Sequence, residues 1–440
     1  MAEKAYTYLT PLKDEISKCI KCGACMAGCP TFMITKDETM VARGRLTLVR
    51  AALDGRIEPS GRLKESITSC IGCLTCDVNC PSGVKIGDII FAAKAQIAKT
   101  RGLNLIEKIA SKWVVGLRWP LPILVRSSAL LLKIYDGLPV KGPLIHLIPF
   151  VKNNIKRKLP AAGGPSLTSQ FPEVVKTMHQ RPKGVVAFFP GCVIDLSTQN
   201  IGRATLSVLN KLGYDVLIPG GQYCCGSPLQ SLGDIETARK VALKNIEIFS
   251  SLNVEAIIVS CATCGHTLKK EYPVLLNQSL NGHFEKVKEF SGRIMDIHEF
   301  IVSRHAELVS ASQGEFTDSE NKALFKGERQ RVTFHDPCHL KKGFGIDQSP
   351  REILRSIPSV EFVEMEDADA CCGFGGIFSL YHYDLASEIG ERKTENIKRT
   401  GSQIVATGCP GCKIHIEDSL HRAGYNATVK HTVELLDEVL

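Results

Sequence analysis

Cys224-Cys225-Gly226 has Cys192 standing 32 positions before it, and Cys261-Ala-Thr-Cys264 opens 36 positions after Cys225. Adjacent cysteines do not readily bridge each other, so the pair needs another reason to exist. The same order recurs downstream. Cys338 precedes Cys371-Cys372-Gly373 by 33 positions, and Cys409-Pro-Gly-Cys412 opens 37 positions after Cys372. Corresponding thiols of the two sets lie 146 to 148 residues apart. Five soft donors in one order, used twice, describe a duplicated domain built around a soft-metal site in each copy.

The residues between these cysteines alternate in character. Val185-Val-Ala-Phe-Phe189 is a short apolar strand that ends just before Cys192, and a helical pattern follows over about 197–212. Val216-Leu-Ile218, a helix over about 234–249 and Ala256-Ile-Ile-Val259 then lead to Cys261. The second copy repeats this with Val332-Thr-Phe334, Val360-Glu-Phe-Val363 and Ile404-Val-Ala406. Each copy closes on a related strand-to-helix piece, Ile297-His-Glu-Phe-Ile301 and Thr432-Val-Glu-Leu-Leu436. Strand–helix alternation predicts a parallel α/β layer with ligands beyond the C-terminal strand ends, where Cys192 and Cys261 fall. The expected domains are 184–304 and 331–440, separated by a polar stretch.

A third module, 10–100, carries the other eight cysteines. Cys19-x2-Cys22-x2-Cys25-x3-Cys29-Pro30 is followed by Cys70-x2-Cys73-x2-Cys76-x3-Cys80-Pro81. This is the spacing of bacterial two-cluster ferredoxins, in which the fourth cysteine of each run reaches the other cluster. On that pattern one 4Fe-4S cluster uses Cys19, Cys22, Cys25 and Cys80, and the other Cys70, Cys73, Cys76 and Cys29. Zinc is the competing metal, but its structural sites favour two spaced pairs over a tight triplet with a distant fourth ligand. Apolar spacing over 40–53 is helical, so the module is expected to be helical and not a short β-rich ferredoxin. Arg43 and Arg45 on that helix are either solvated charges or hydrogen-bond donors to cluster sulfur.

All eighteen cysteines of the 440-residue chain fall in these four motifs. The first residues lack the apolar core of a secretory signal, which predicts a reducing, cytoplasmic setting and ligand thiols in place of disulfides. The formal charge of +8 is local. Residues 101–160 hold eleven Lys and Arg against Glu107 and Asp136, a net +9, so the remainder is close to neutral. A basic surface spread over the domains for nucleic acid is therefore not expected. Segment 101–160 reads as a basic amphipathic helical connector, with Leu105, Ile109 and Trp113 at helical spacing and both tryptophans of the chain. Two roles suit it equally: lying in anionic headgroups on the inner face of the cell membrane, or packing on its own domains or on a partner subunit.

Polar residues beside the cysteine loops, Asp195, His266, His335, Asp336, His339 and His415, are candidates for moving protons, with loop hydrogen bonding as their plainer role. Gly373-Phe-Gly375-Gly376 lacks a full phosphate-loop fingerprint and reads as close backbone packing around a cluster. No flavin or nicotinamide fingerprint is present, so the chain is expected to carry no flavin of its own.

Two ferredoxin runs plus two Cys-Cys-Gly domains resemble the glycolate oxidase iron-sulfur subunit family and its relatives in lactate utilisation, anaerobic glycerol-3-phosphate dehydrogenase and heterodisulfide reductase. Cys29-Pro-Thr, Ala42-Arg-Gly-Arg45, Cys80-Pro-Ser-Gly83 and Thr432-Val-Glu-Leu-Leu436 are most similar to the glycolate oxidase branch. The resemblance implies an α+β multidomain chain, a helical two-cluster ferredoxin module followed by two tandem α/β Cys-Cys-Gly domains. It implies two 4Fe-4S cubanes and one or two further iron-sulfur clusters, noncubane in the heterodisulfide reductase relatives. These would be held by Cys192, Cys224, Cys225, Cys261 and Cys264 and by Cys338, Cys371, Cys372, Cys409 and Cys412. It also implies an FAD-containing dehydrogenase subunit as partner, acting on a 2-hydroxy acid and passing electrons to quinone or another carrier. The alternative it leaves open is a heterodisulfide-reductase-like subunit that reduces a disulfide at a noncubane cluster.

Overall fold

The computed structural model describes residues 6–58, 61–109, 111, 157–158, 165–277, 284–305 and 329–440. The N-terminal module is helical throughout its described residues, with its longest helices at Ala42–Leu53 and Ile86–Arg101. Val41, Leu46, Val49, Ile67, Ile89 and Ile90 are buried between them and form the module's own core. The expected helical ferredoxin module is what the chain builds.

The first α/β half contains β1 (Val174–Val175), β2 (Gly184–Phe189), β3 (Tyr214–Leu217), β4 (Ile257–Val259) and β5 (Ile294–Asp296). Their order in the sheet is β1-β3-β2-β4-β5, parallel except for β1. The second half contains β6 (Gln330–His335), β7 (Val360–Phe362), β8 (Ile404–Thr407) and β9 (Thr428–His431), in the order β7-β6-β8-β9 and all parallel. Leaving aside β1, the two sheets have the same order, and the duplication read from cysteine spacing extends to topology. Both faces of each sheet are covered by helices, so the strands read as continuous apolar runs: Val186 to Phe189 and Ile257 to Val259 are all fully buried. The strand-to-helix pieces expected at 297–301 and 432–436 are helical, with the short strands β5 and β9 standing just before them. Strands β1, β5 and β9 are two to four residues long, too short to leave a period-2 signal.

The halves are packed as an internal pseudo-dimer. Helix Gln199–Lys211 of the first half packs on the last helix of the second, Thr432–Asp437. The equivalent second-half helix, Gln348–Ser356, packs on the first half's closing helix, Ile297–Arg304. One apolar core runs through both, from Val186 and Phe249 to Phe334 and Leu436.

The helical module docks against both halves. Helix Ile86–Arg101 lies on Ser227–Leu232 of the first half, and helix Pro30–Thr35 on Tyr383–Thr400 of the second. A side chain at Gly233 would place its Cβ 2.4 Å from the Lys94 carbonyl oxygen, so the first contact is at backbone distance. At the second, Gly375 packs on Ile71. The Gly373–Gly376 run thus serves a joint between modules as well as the cysteine loop. Of the basic connector, Leu105–Ile109 is helical, Ser111 hydrogen-bonds Asp234, and Arg157 stacks over Phe374 and Tyr383. Residues 110, 112–156, 159 and 160 of that segment, Trp113 included, lie outside the described residues. No helix among the described residues is long and apolar enough to cross a membrane.

Candidate functional site

In α/β sheets the crevice for ligands opens where strand order reverses, and in each half that point lies between the first and third parallel strands. Cys192 follows β2 and Cys261 follows β4, while Cys338 follows β6 and Cys409 follows β8. Cys264 and Cys412 sit one helical turn beyond, on helices Ala262–His266 and Pro410–Arg422. Gly191 is held at φ +67°, and a Cβ there would come within 2.7 Å of Cys264 Sγ, which is why the turn before Cys192 carries glycine.

The two sets were expected as separate sites. Instead all ten cysteines line one continuous cavity of about 510 Å³ between the halves. The pseudo-dimer brings both switch points face to face. Cys192 and Cys224 sulfurs are 3.8 Å apart and those of Cys372 and Cys412 3.3 Å apart. Cys225 is in hydrogen-bonding contact with Cys224 and Cys264, and Cys261 meets Cys409 across the pseudo-twofold axis. Hydrogen bonds from the Cys224 and Cys264 thiols pull the Cys225 thiol down to about 5. Contacts with Cys371 and Cys412 hold Cys372 well below the ordinary thiol range. In each set the second cysteine of the adjacent pair is flanked by thiols that can donate to its sulfur, and a metal bound there would take it as thiolate.

The helical module forms two smaller cavities. One is lined by Cys19, Cys22, Cys25 and Cys80, the other by Cys29, Cys70, Cys73 and Cys76. These are the two groupings that the ferredoxin spacing predicts. In both triplet loops the residue before the second cysteine and the residue after it are left-handed: Lys21 (φ +58°) and Gly23 (φ +87°), Gly72 (φ +75°) and Leu74 (φ +60°). Left-handed Lys and Leu cost of order 1–2 kcal/mol each, and such strain is retained where a loop wraps something. Four thiols on a small cavity, with the loop wound around it, fit a 4Fe-4S cluster in each position.

The second set adjoins the large cavity. Cys70, Ile71 and Gly72 line both spaces. His339 Nε2 donates to the Gly72 carbonyl at 3.0 Å, and its Nδ1 accepts from Thr263 Oγ1 at 3.2 Å, joining all three domains. Lys342 Nζ donates to Thr75 Oγ1 at 2.8 Å and to the Asp369 carbonyl at 3.2 Å. Lys94 Nζ donates to the Cys70 carbonyl at 3.1 Å, and burial pushes its ammonium down. The other set faces outward, with Cys22 exposed and Ile20 69% exposed.

Arg45 is not a solvated helix charge. It is buried, donates to the Ser66 carbonyl, Thr31 Oγ1 and Ser69 Oγ, and lines the inner cavity, while Arg43 lines the outer one. Asp336 is locked by both guanidinium nitrogens of Arg351 at 2.8 and 2.9 Å, and Asp195 accepts from the Thr168 N–H. His266 stacks on His339, and His415 donates to the Ala386 carbonyl. His339 lines the cavity beside the cysteines, and one ring nitrogen of His335 lies within 4.8 Å of both Cys372 and Cys412 Sγ. Sequence reasoning missed the buried Lys94 and Lys393 and the largely covered Lys342, with nothing local to mark them. It also missed Thr31 and Thr75, whose hydroxyls lie 3.3 Å from Cys29 and Cys73 Sγ. The repeated Cys-x-Thr was a readable signal.

Comparison with known proteins accords with this architecture. A 4Fe-4S dicluster domain matches residues 15–84, and a cysteine-rich CCG domain matches twice, over 186–269 and 332–417. The probable glycolate oxidase iron-sulfur subunit of Bacillus subtilis (strain 168) is 30% identical over 97% of this chain and 94% of its own length. The glycolate oxidase iron-sulfur subunit of Escherichia coli (strain K12) is 26% identical over 96% and 93%. A subunit of the dihydromethanophenazine:CoB–CoM heterodisulfide reductase of Methanosarcina barkeri (strain Fusaro) is 26% identical over 97% and 94%.

Proposed function

The chain belongs to the glycolate oxidase iron-sulfur subunit family, and we propose that it is the electron-relay subunit of a flavin-dependent 2-hydroxy-acid dehydrogenase complex. The observation that carries this reading is the linear order of the cysteine sets: an outer set with Cys22 exposed, an inner set that adjoins the large cavity through Cys70, then the shared cavity itself. In the helical module Cys19, Cys22, Cys25 and Cys80 would hold one cubane and Cys70, Cys73, Cys76 and Cys29 the other. Cys192, Cys224, Cys225, Cys261 and Cys264, and their five counterparts, would hold further clusters. Iron-sulfur clusters supply one-electron storage without proton or group transfer.

The chain's own residues do the rest. Cys22 and Ile20 present the outer set to a partner's surface. Arg45, Lys94 and Lys342 place positive charge or N–H donors around the inner set, which favours its reduced state. His339 fixes the inner set to both halves. Cys73 lies close enough to Cys338 and Cys371 to perturb both thiols, so the inner set adjoins the second half's cysteines. A partner flavoprotein would take the hydride equivalent that a hydroxy acid loses and pass it on as single electrons, the form iron-sulfur clusters accept. The basic connector offers a membrane contact near quinone, a role that salt-sensitive binding of the intact complex to anionic liposomes would support and its absence would remove.

A second reading has one specific observation behind it. The two thiol sets share a space, so a disulfide placed there would meet both, as the heterodisulfide reductase relatives suggest. One experiment separates the readings. Anaerobic reconstitution with the co-purifying flavoprotein should give hydroxy-acid-dependent bleaching of the clusters and reduction of a quinone analogue. Disulfide reduction without any flavin-to-quinone transfer would instead favour the second reading.

A further inference from the structure

The two halves share their strand order yet differ at one buried position beside the thiols. Phe189 pairs with Val259, two residues before Cys261, and His335 pairs with Thr407, two residues before Cys409. His335 therefore stands in the second half where Phe189 stands in the first. It is 1% exposed, and neither ring nitrogen has an oxygen or nitrogen partner; what the ring meets is the Cys372 sulfur. Around it, Thr333 and Thr407 also bury hydroxyls without partners, where the first half has Ala187 and Val259. Leaving a buried polar group unpaired costs about 1–3 kcal/mol, and the first half shows that an aromatic hydrocarbon fits the same place. Something other than packing accounts for the imidazole.

Its surroundings point to a metal. One nitrogen of His335, Cys372 Sγ and Cys412 Sγ all lie within 4.8 Å of one another, all three residues are buried, and the two sulfurs are 3.3 Å apart. Neutral imidazole and thiolate are both good donors to iron. We propose that His335 is a nitrogen ligand to the metal centre of the second half, which is therefore held by mixed imidazole and thiolate donors, whereas the first-half centre is held by thiolates alone. The proposal rests on the reading that these cysteines bind iron. With His335 taking the place of one of the second half's five thiolates, that centre carries one negative charge fewer, which raises its reduction potential. The two centres facing each other in the cavity are then unequal, with the higher potential on the side that adjoins the inner set of the helical module.

The test uses the full-length holoprotein, purified anaerobically with and without 15N-histidine, and pulsed electron paramagnetic resonance across a redox titration. The wild type should show nitrogen coupling of directly bound strength, shifted by the isotope, on a signal altered by Cys372→Ser but not by Cys225→Ser. His335→Phe, which installs the first-half residue, should abolish that coupling and leave the helical module's signals intact. Should His335→Phe fail to accumulate, His335→Gln serves the same purpose, since its amide can hydrogen-bond to sulfur but supplies no imidazole. Iron in excess of the helical module's eight with no such coupling, or coupling that survives in the variant, overturns the proposal alone. Iron limited to the helical module overturns both the proposal and the reading beneath it.

Discussion

Arg351 shows how much of the site is held by buried charge. Its guanidinium reaches Asp336 and also Glu364, and Asp336 is fully buried between His335 and the Cys338 loop. Removing one partner of a buried pair leaves the other charge uncompensated, at a cost of about 3–5 kcal/mol. Lys341 Nζ, 3.7 Å from Asp336, offsets part of that, so Arg351→Met should lower stability by up to that amount in chemical denaturation, and adding Asp336→Asn should restore part of it. Additive losses would show that the two do not act as a pair. Lys342 makes a second prediction, because its ammonium sits where the inner thiol set meets the second half. Lys342→Met should lower the midpoint potential of the inner cluster by on the order of 1 kcal/mol, roughly 50 mV for one electron. An unchanged potential would mean that solvent screens the charge. Neither residue was legible in the sequence. A buried lysine is identified by what folds over it, and only cysteine, whose chemistry is written in its spacing, announced its role in advance.

Among the secondary-structure elements, the joint between helix Ile86–Arg101 and helix Ser227–Leu232 controls whether the helical module reaches the cavity. Gly233, at φ +84°, closes that joint at backbone distance from Lys94, whose side chain holds the Cys70 carbonyl. Gly233→Ala should cost about 1–3 kcal/mol through overpacking and the left-handed backbone, and should slow electron exchange between the module and the second half. Stopped-flow reduction should then become biphasic. Monophasic reduction at the original rate would show that the joint tolerates the insertion. The parallel strands were readable because burial on both faces makes them continuous apolar runs, as in Val185–Phe189. Strands β5 and β9 were hidden because each is three or four residues running straight into a capped helix, with Asp296 and His431 as the caps. The interlock of closing helices across the halves had no local signature either. It is a property of two domains meeting, and the sequence describes each domain alone.

Across the whole molecule, duplication explains the shared cavity. Two copies of one α/β half, related by a pseudo-twofold axis through the Cys261–Cys409 contact, place their switch points against each other, and the helical module closes the space from one side through Cys70, Ile71 and Gly72. The number and order of domains followed from cysteine arithmetic. Their convergence did not, since five-thiol sets nearly 150 residues apart are equally compatible with separate sites. The most direct test of the account is the iron and acid-labile sulfide content of the anaerobically purified full-length chain, compared with its Cys225→Ser and Cys372→Ser variants. The account predicts iron well above eight per chain, matched by sulfide, with each variant losing or altering one C-terminal cluster while about eight irons in the helical module persist. Zinc without sulfide, or iron that stops at eight and is indifferent to both substitutions, would contradict it.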